Sequence, residues 1–174
     1  MSVKKTTQVG NPVIRAKAKQ VKNQDSVKIR KVVRDLTDSM RACGLVGMAA
    51  PQIGVSLRIF VTEIRKTKFR KNEELDELRV FVNPKITRTS RKQSRGWEGC
   101  GSVAESGLFA KVNRHESVSI EASNEEGEKF ILEAEGLLAR VIQHEMDHLN
   151  GVVFIDKADL NTVMSRDEYV KLNK

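Results

Sequence analysis

The run His144-Glu145-Met146-Asp147-His148 sets two histidines four residues apart, with a glutamate beside the first. On a helix, residues at that spacing project from one face, so both imidazoles can reach a single cation. The Glu145 carboxylate then lies next to the first ligand, where it can take the proton of a water polarised by that cation. This is the chemistry of a metal-dependent hydrolase. The chain has only three histidines; His115 has no partner at ligand spacing and is expected at the surface.

Two ligands do not complete a catalytic site, which needs a third and an open position. No histidine follows His148, and the acids beyond it are Asp156, Asp159, Asp167 and Glu168. The other choice is Cys100, within Gly96-Trp97-Glu98-Gly99-Cys100-Gly101-Ser102. Glycines on both sides of a cysteine let the backbone approach a ligand closely. A thiolate suits borderline and soft cations, Fe(II) and Zn(II) among them. A free cysteine is as readily a small buried hydrophobe. Residue types and spacing leave the third ligand open.

The elements that must hold these groups follow from apolar spacing. Leu137, Leu138, Val141, Ile142, Met146 and Leu149 repeat at helical intervals around the two histidines, and Asn150–Gly151 closes that helix. An earlier helix spans Asp25 to Cys43 on Ile29, Val32, Val33, Leu36, Met40 and Cys43, with Asp25 or Ser26 as its cap. Cys43 is expected to face the core. Pro51 in the turn GLVGMAAPQIG excludes a continued helix. Leu57–Thr62 and Leu78–Val82 read as strands, flanking an exposed excursion over 64–77. Ser117–Ala122 and Lys129–Ala134 pair across the Asn124–Gly127 turn. The final DLNTVMSRDEYVKLNK adds a short helix. Strands between helices without βαβ alternation give an α+β fold. It is expected as one domain over residues 1–174, with mixed or antiparallel strands packed around a central HExxH helix and an N-terminal helix besides.

Composition narrows the function. Hydrophobic residues at 39 % and charged residues at 31 % are too apolar for disorder and too charged for a membrane protein. No apolar run approaches the roughly 18–20 residues that span a bilayer. The opening residues have no apolar stretch of the secretory kind, and two cysteines cannot form a disulfide framework. A soluble, cytoplasmic protein is expected. A net charge of +8, much of its excess between Ile64 and Arg95, favours polyanions such as RNA. With aromatics at 5 %, and no basic run interleaved with them, no nucleic-acid sequence is read.

Three motifs, GMAAPQIG (Gly47–Gly54), WEGCGS (Trp97–Ser102) and QHEMDHLNG (Gln143–Gly151), fall in the order and spacing of the peptide deformylases. The chain resembles that family from about Gln8 through VFIDK at 153–157. The resemblance implies a metal-dependent hydrolase that removes the N-formyl group from formyl-methionyl nascent peptides. It implies that Cys100, His144 and His148 hold one divalent metal, with Glu145 as general base and acid. Gln52, its aim restricted by Pro51, and the backbone N–H of Gly101 would bind the developing oxyanion. Fe(II) is the implied working ion, although a Cys-His-His set also accepts Zn(II), Ni(II) or Co(II).

The substrate would lie extended along Leu45–Gly47 and Gly96–Gly99, as an added strand. Gly47 and Gly99 would line it, and Val46, Leu137 and Val141 would form the methionine pocket. The basic surface would serve attraction to the ribosome. Three departures from the family pattern bear on pocket shape and loop rigidity. Gly101 replaces a bulkier apolar residue, Ala104 a proline and Leu45 a glycine. They leave open two alternatives: another small acyl substrate for the same fold, or an inactive relative that binds ribosome or RNA.

Overall fold

Apolar residues three and four apart give each long helix one face to bury, and those faces decide where the strands lie. The computed structural model describes residues 2–22, 27–66 and 74–172. A one-turn helix α1 (Pro12–Arg15) is capped by the Asn11 side chain on the Val13 N–H. Helix α2 (Val27–Ala42) buries Ile29, Val32, Val33, Leu36 and Met40. The expected cap at Asp25 or Ser26 lies outside the described residues, as does part of the 64–77 excursion.

Cys43 is exposed rather than core-facing. The Gly44 N–H bonds the Arg41 carbonyl and the Leu45 N–H bonds that of Met40, with Gly44 at φ +67. That is a Schellman stop, so Cys43 is the residue where the chain leaves the helix and its apolar periodicity lapses.

The remaining elements are strands β1 (Gly47–Ala49), β2 (Ile59–Ile64), β3 (Asp76–Thr89), β4 (Gln93–Gly99), β5 (Leu108–His115), β6 (Ser117–Ser123) and β7 (Lys129–Glu135). Helix α3 (Gly136–Leu149), strand β8 (Ala158–Ser165) and helix α4 (Arg166–Leu172) follow. They form a five-stranded sheet in the order β1-β2-β3-β6-β7 and a three-stranded sheet in the order β4-β5-β8. The strand pairs are antiparallel. The α+β reading therefore holds. The short helix expected within DLNTVMSRDEYVKLNK is α4, and the residues before it pair with β5 as a strand, Leu108 opposite Ser165 and Val112 opposite Ala158.

The larger sheet is filled on both faces. Phe60 and Phe81 point to α3, where they meet Ala139, Ile142, Met146 and Leu149. Their neighbours Ile59, Val61, Val80 and Val82 point to α2. The strand period of two thus places one helix on each side. The Phe60 and Phe81 rings stack with centroids 4.4 Å apart. A third cluster, including Val103, Ala110, Val112 and Phe154, surrounds Cys100.

The end of α3 is pressed against α1. Gly151 has φ +76, and a Cβ there would stand 2.3 Å from the Arg15 carbonyl oxygen. Backbone cannot retreat as a flexible side chain can. Gly151→Ala is expected to lose about 1–3 kcal/mol from the left-handed backbone alone, and more from the clash. Urea unfolding that shows no loss of stability would contradict this packing.

Candidate metal centre

Helix α3 presents His144 and His148 on one face, and β4 ends by delivering Cys100 to the same point. The ligand atoms of the three lie within 4.8 Å of one another. Cys100 Sγ is 3.2 Å from His148 Nε2. His144 Nδ1 is bonded to Glu98 Oε2 at 2.9 Å, which leaves its Nε2 as the nitrogen available to the cluster. Cys100 and His148 are buried. Of the other acids considered, Asp156 is paired with Arg15, Asp159 with Arg95 and Glu168 with Lys171. A thiolate and two imidazoles converging in a buried cleft suit a divalent borderline ion.

Electrostatics favour that donor set. Burial alone would push the Cys100 thiol up, but His148 and His144 outweigh it and hold the thiol well below its ordinary value. Glu145 is buried, and its Oε2 has no hydrogen-bond partner among the described residues. Burial pushes its carboxyl up to about 7. A carboxylate in that range can both take and return a proton near neutrality.

Behind the ligands lies a buried ion network for which no role was read from the sequence. Arg114 gives Nε and Nη2 to the two Glu98 oxygens, each at 2.9 Å, and Nη1 to Asp147 at 2.5 Å. Arg140 adds a bond to Glu98 at 2.8 Å, and Lys157 one to Asp147 at 2.6 Å. Burial opposes ionisation of Glu98, yet the bonds from Arg114 and His144 hold its carboxyl well below the usual range. A carboxylate bonded to the far nitrogen of a ligand histidine fixes its ring and tautomer. Glu98 and Asp147 were visible as acids inside the WEGCGS and HExxH motifs. Arg114 carried no such signal.

Gln52 closes the short 3₁₀ turn Ala50–Ile53 and is buried. Its Oε1 accepts the Ala49 N–H at 2.7 Å, which turns Nε2 toward the cluster, 3.6 Å from Cys100 Sγ. A Cβ on Gly47 would stand 2.5 Å from Glu145 Oε1 and 2.7 Å from Val141 Cγ1. Gly47, Val141 and Glu145 are therefore in contact. Val46 and Leu137 are half-buried, and a Cβ on Gly99 would meet the Phe109 ring at 2.8 Å. Strands β1 and β4, which carry Gly47 and Gly99, are each at the edge of their sheet.

The three departures have structural reasons. A Cβ on Gly101 would meet Leu45 Cδ1 at 3.2 Å and Thr6 Cγ2 at 3.3 Å. Bulk at 45 thus stands beside its absence at 101. Ala104, Glu105 and Ser106 have φ of 48, 51 and 63. Proline, locked near −65°, could not take the first of these positions.

Removing Arg114 would take from Glu98 both of its paired bonds and leave it to Arg140 and His144, with Asp147 left to Lys157. Arg114→Met is expected to destabilise the fold by about 3–5 kcal/mol. An unchanged urea midpoint would show that the network carries no such weight.

The Polypeptide deformylase family model matches residues 3–163. The peptide deformylase of Natranaerobius thermophilus is 40 % identical over 159 residues, 91 % of this chain and 94 % of its own length. That of Carboxydothermus hydrogenoformans is likewise 40 % identical over 159 residues, covering 91 % and 95 %. A class I type b peptide deformylase from Acinetobacter baumannii matches the structure with a TM-score of 0.85 at 29 % identity, covering 90 % of this chain and 99 % of that one. The Thermotoga maritima peptide deformylase matches at 0.80 and 31 %, covering 91 % and 99 %. Sequence and fold thus agree along nearly the whole chain, which belongs to the polypeptide deformylase family, hydrolases that remove the formyl group from nascent peptides.

Proposed function

We propose that Cys100, His144 and His148 hold one divalent metal ion, that Glu145 transfers the proton and that Gln52 and Gly101 bind the oxyanion. The observation that carries this reading is the convergence of the three donor atoms within 4.8 Å, beside a buried Glu145 oxygen without a hydrogen-bond partner. The ion, when bound, supplies the Lewis acidity that lets water ionise near neutral pH.

The remaining work falls to the chain. Glu145 takes the proton of the attacking water and returns it to the departing amine. The Gln52 amide, held by the Ala49 N–H through its oxygen, donates to the oxygen that becomes negative as the formyl carbon turns tetrahedral. The Gly101 N–H is the second donor. The formyl-methionyl chain adds as a strand between the open edges at Gly47 and Gly99. Its methionine side chain takes the apolar space near Val46, Leu137 and Val141.

Fe(II) is the ion we assign, with Zn(II), Ni(II) and Co(II) compatible with the donors. The exposed side of α2 carries Lys28, Arg30, Lys31 and Arg34, a cationic face that favours approach to ribosomal RNA. Several basic residues are engaged by acids, Lys31 of this face with Asp35, and Arg88, Lys92 and Arg95 with Glu133, Glu116 and Asp159. No helix of the described residues is long and apolar enough to cross a membrane. The reading places the enzyme's work in the cytoplasm, where nascent chains emerge.

Glu145→Gln is expected to retain metal but to lose about 10²–10⁴-fold in turnover of a formyl-methionyl tripeptide. Near-normal turnover would remove Glu145 from its role. Cys100→Ser should bind metal more weakly, since a hydroxyl ionises far less readily than a thiol. Metal analysis that finds full occupancy and turnover at the normal rate would move the third ligand elsewhere.

Protein prepared without oxygen should outperform aerobic protein, because an iron-bound thiolate is open to oxidation toward sulfinic and sulfonic acid. A zinc form, which has no redox chemistry, should survive air with its sulfur intact. Equal activity of zinc protein and anaerobic iron protein would refute the choice of iron.

A further inference from the structure

The N-terminal segment crosses the two loops that carry Gln52 and Cys100. The Thr7 N–H donates to the Gln52 carbonyl and the Val9 N–H to the Ser102 carbonyl, both at 2.8 Å. Between them, Gln8 Nε2 donates to the Gly101 carbonyl at 2.8 Å, with longer contacts to Thr6 O and Oγ1 at 3.2 and 3.3 Å. The Gly101 carbonyl and the Ser102 N–H are opposite ends of one planar peptide group. That N–H in turn donates to Cys100 Sγ at 3.4 Å. The Gln8 amide and the Cys100 sulfur are therefore joined through a single peptide unit. Cys100 is 2 % exposed and Ser102 fully buried, so the N–H···S end of this relay is shielded from bulk water, while Gln8 at the other end is half-buried.

A hydrogen bond to the carbonyl end draws electron density through the conjugated C–N bond and makes the N–H end a stronger donor. We propose that Gln8 is a positioning residue for the Cys100 thiolate, aiming and strengthening the Ser102 N–H···S bond through the Gly101–Ser102 peptide. The inference rests on Cys100 being a metal ligand.

The same side chain restrains the loop on its far side. Gln8 Oε1 accepts the Glu105 N–H at 3.1 Å, within the run of three left-handed residues Ala104, Glu105 and Ser106. The Ser106 N–H returns to the Cys100 carbonyl at 3.2 Å. Left-handed backbone costs about 1–2 kcal/mol per non-glycine residue, so this turn needs external restraint. Gln8 supplies it with one end of its amide and holds the peptide plane with the other.

Two variants separate the roles. Gln8→Glu, studied above neutral pH so that its carboxyl is ionised, keeps an acceptor for the Glu105 N–H but cannot donate to Gly101, whereas Gln8→Met loses both bonds. The test loads unmodified and variant protein with Co(II) and reads the sulfur-to-cobalt charge-transfer band, chelator-driven metal loss and thermal melting. Unmodified protein should show the band. Both variants should move it to longer wavelength, because a sulfur with a weaker N–H donor gives up its electron more easily. They should also lose the ion about tenfold faster, the low end for loss of an outer partner.

A Gln8→Glu band and release rate equal to those of unmodified protein would overturn the proposal and reduce Gln8 to a brace for the turn. Should Gln8→Met fail to fold, Gln8→Glu alone decides. Absence of a sulfur band from the unmodified protein would instead overturn the reading of Cys100 as a ligand, and this inference with it.

Discussion

Glu98 is a carboxylate almost wholly out of water, and a bare charge there would cost several kcal/mol even after relaxation. It remains ionised because Arg114, Arg140 and His144 all reach it. Each partner comes from a different place: Arg114 from β5, Arg140 and His144 from successive turns of α3. Satisfying this one charge therefore locks the three-stranded sheet to the helix. Asp147 and Lys157 extend the same logic, since Arg114 cannot be buried on one carboxylate alone without leaving donors unused. Glu98, Arg114 and Asp147 are each held by partners from more than one segment of the chain.

Space around the Cys100, His144 and His148 side chains is rationed closely. β1 passes so near to α3 that Gly47 has no room for a side chain between itself, Val141 and Glu145. The Glu145 carboxylate is consequently desolvated by backbone on one side and by the ligand face on the other. The same crowding couples residues 45 and 101. A leucine at one position fills the volume that a side chain at the other would take, with Thr6 completing the wall. Family departures that look independent along the chain are one packing solution in space.

Much of the architecture was legible in the sequence because helical and strand periods are local. Ile29, Val32, Val33, Leu36 and Met40 marked α2, and the spacing around His144 marked α3. Strands β4 and β5 were not legible. QSRGWEG carries glycines and polar residues of low strand propensity, and β5 has Arg114 at the inward position where an apolar residue would continue the alternation of Ala110 and Val112. Cys43 fits the helical spacing yet lies outside the core, because the stop set by Gly44 ends the helix just before it. Strand β8 was not legible either, because nothing local reveals that β5 offers an edge for it.

For the site, the sequence by itself determined that two imidazoles share one helix face with a carboxylate next to the first, since 3.6 residues per turn aligns positions four apart. The family motifs added Cys100 and Gln52 as expected participants. Only the tertiary structure brings Cys100, and not the later acids, to the two histidines, because that depends on which strand end meets α3. It likewise decided which acids are engaged elsewhere, and joined Glu98, Arg114 and Asp147 into one network. Local periodicity fixes where a side chain points, whereas a site built from several elements depends on their mutual packing, which no short window of residues encodes.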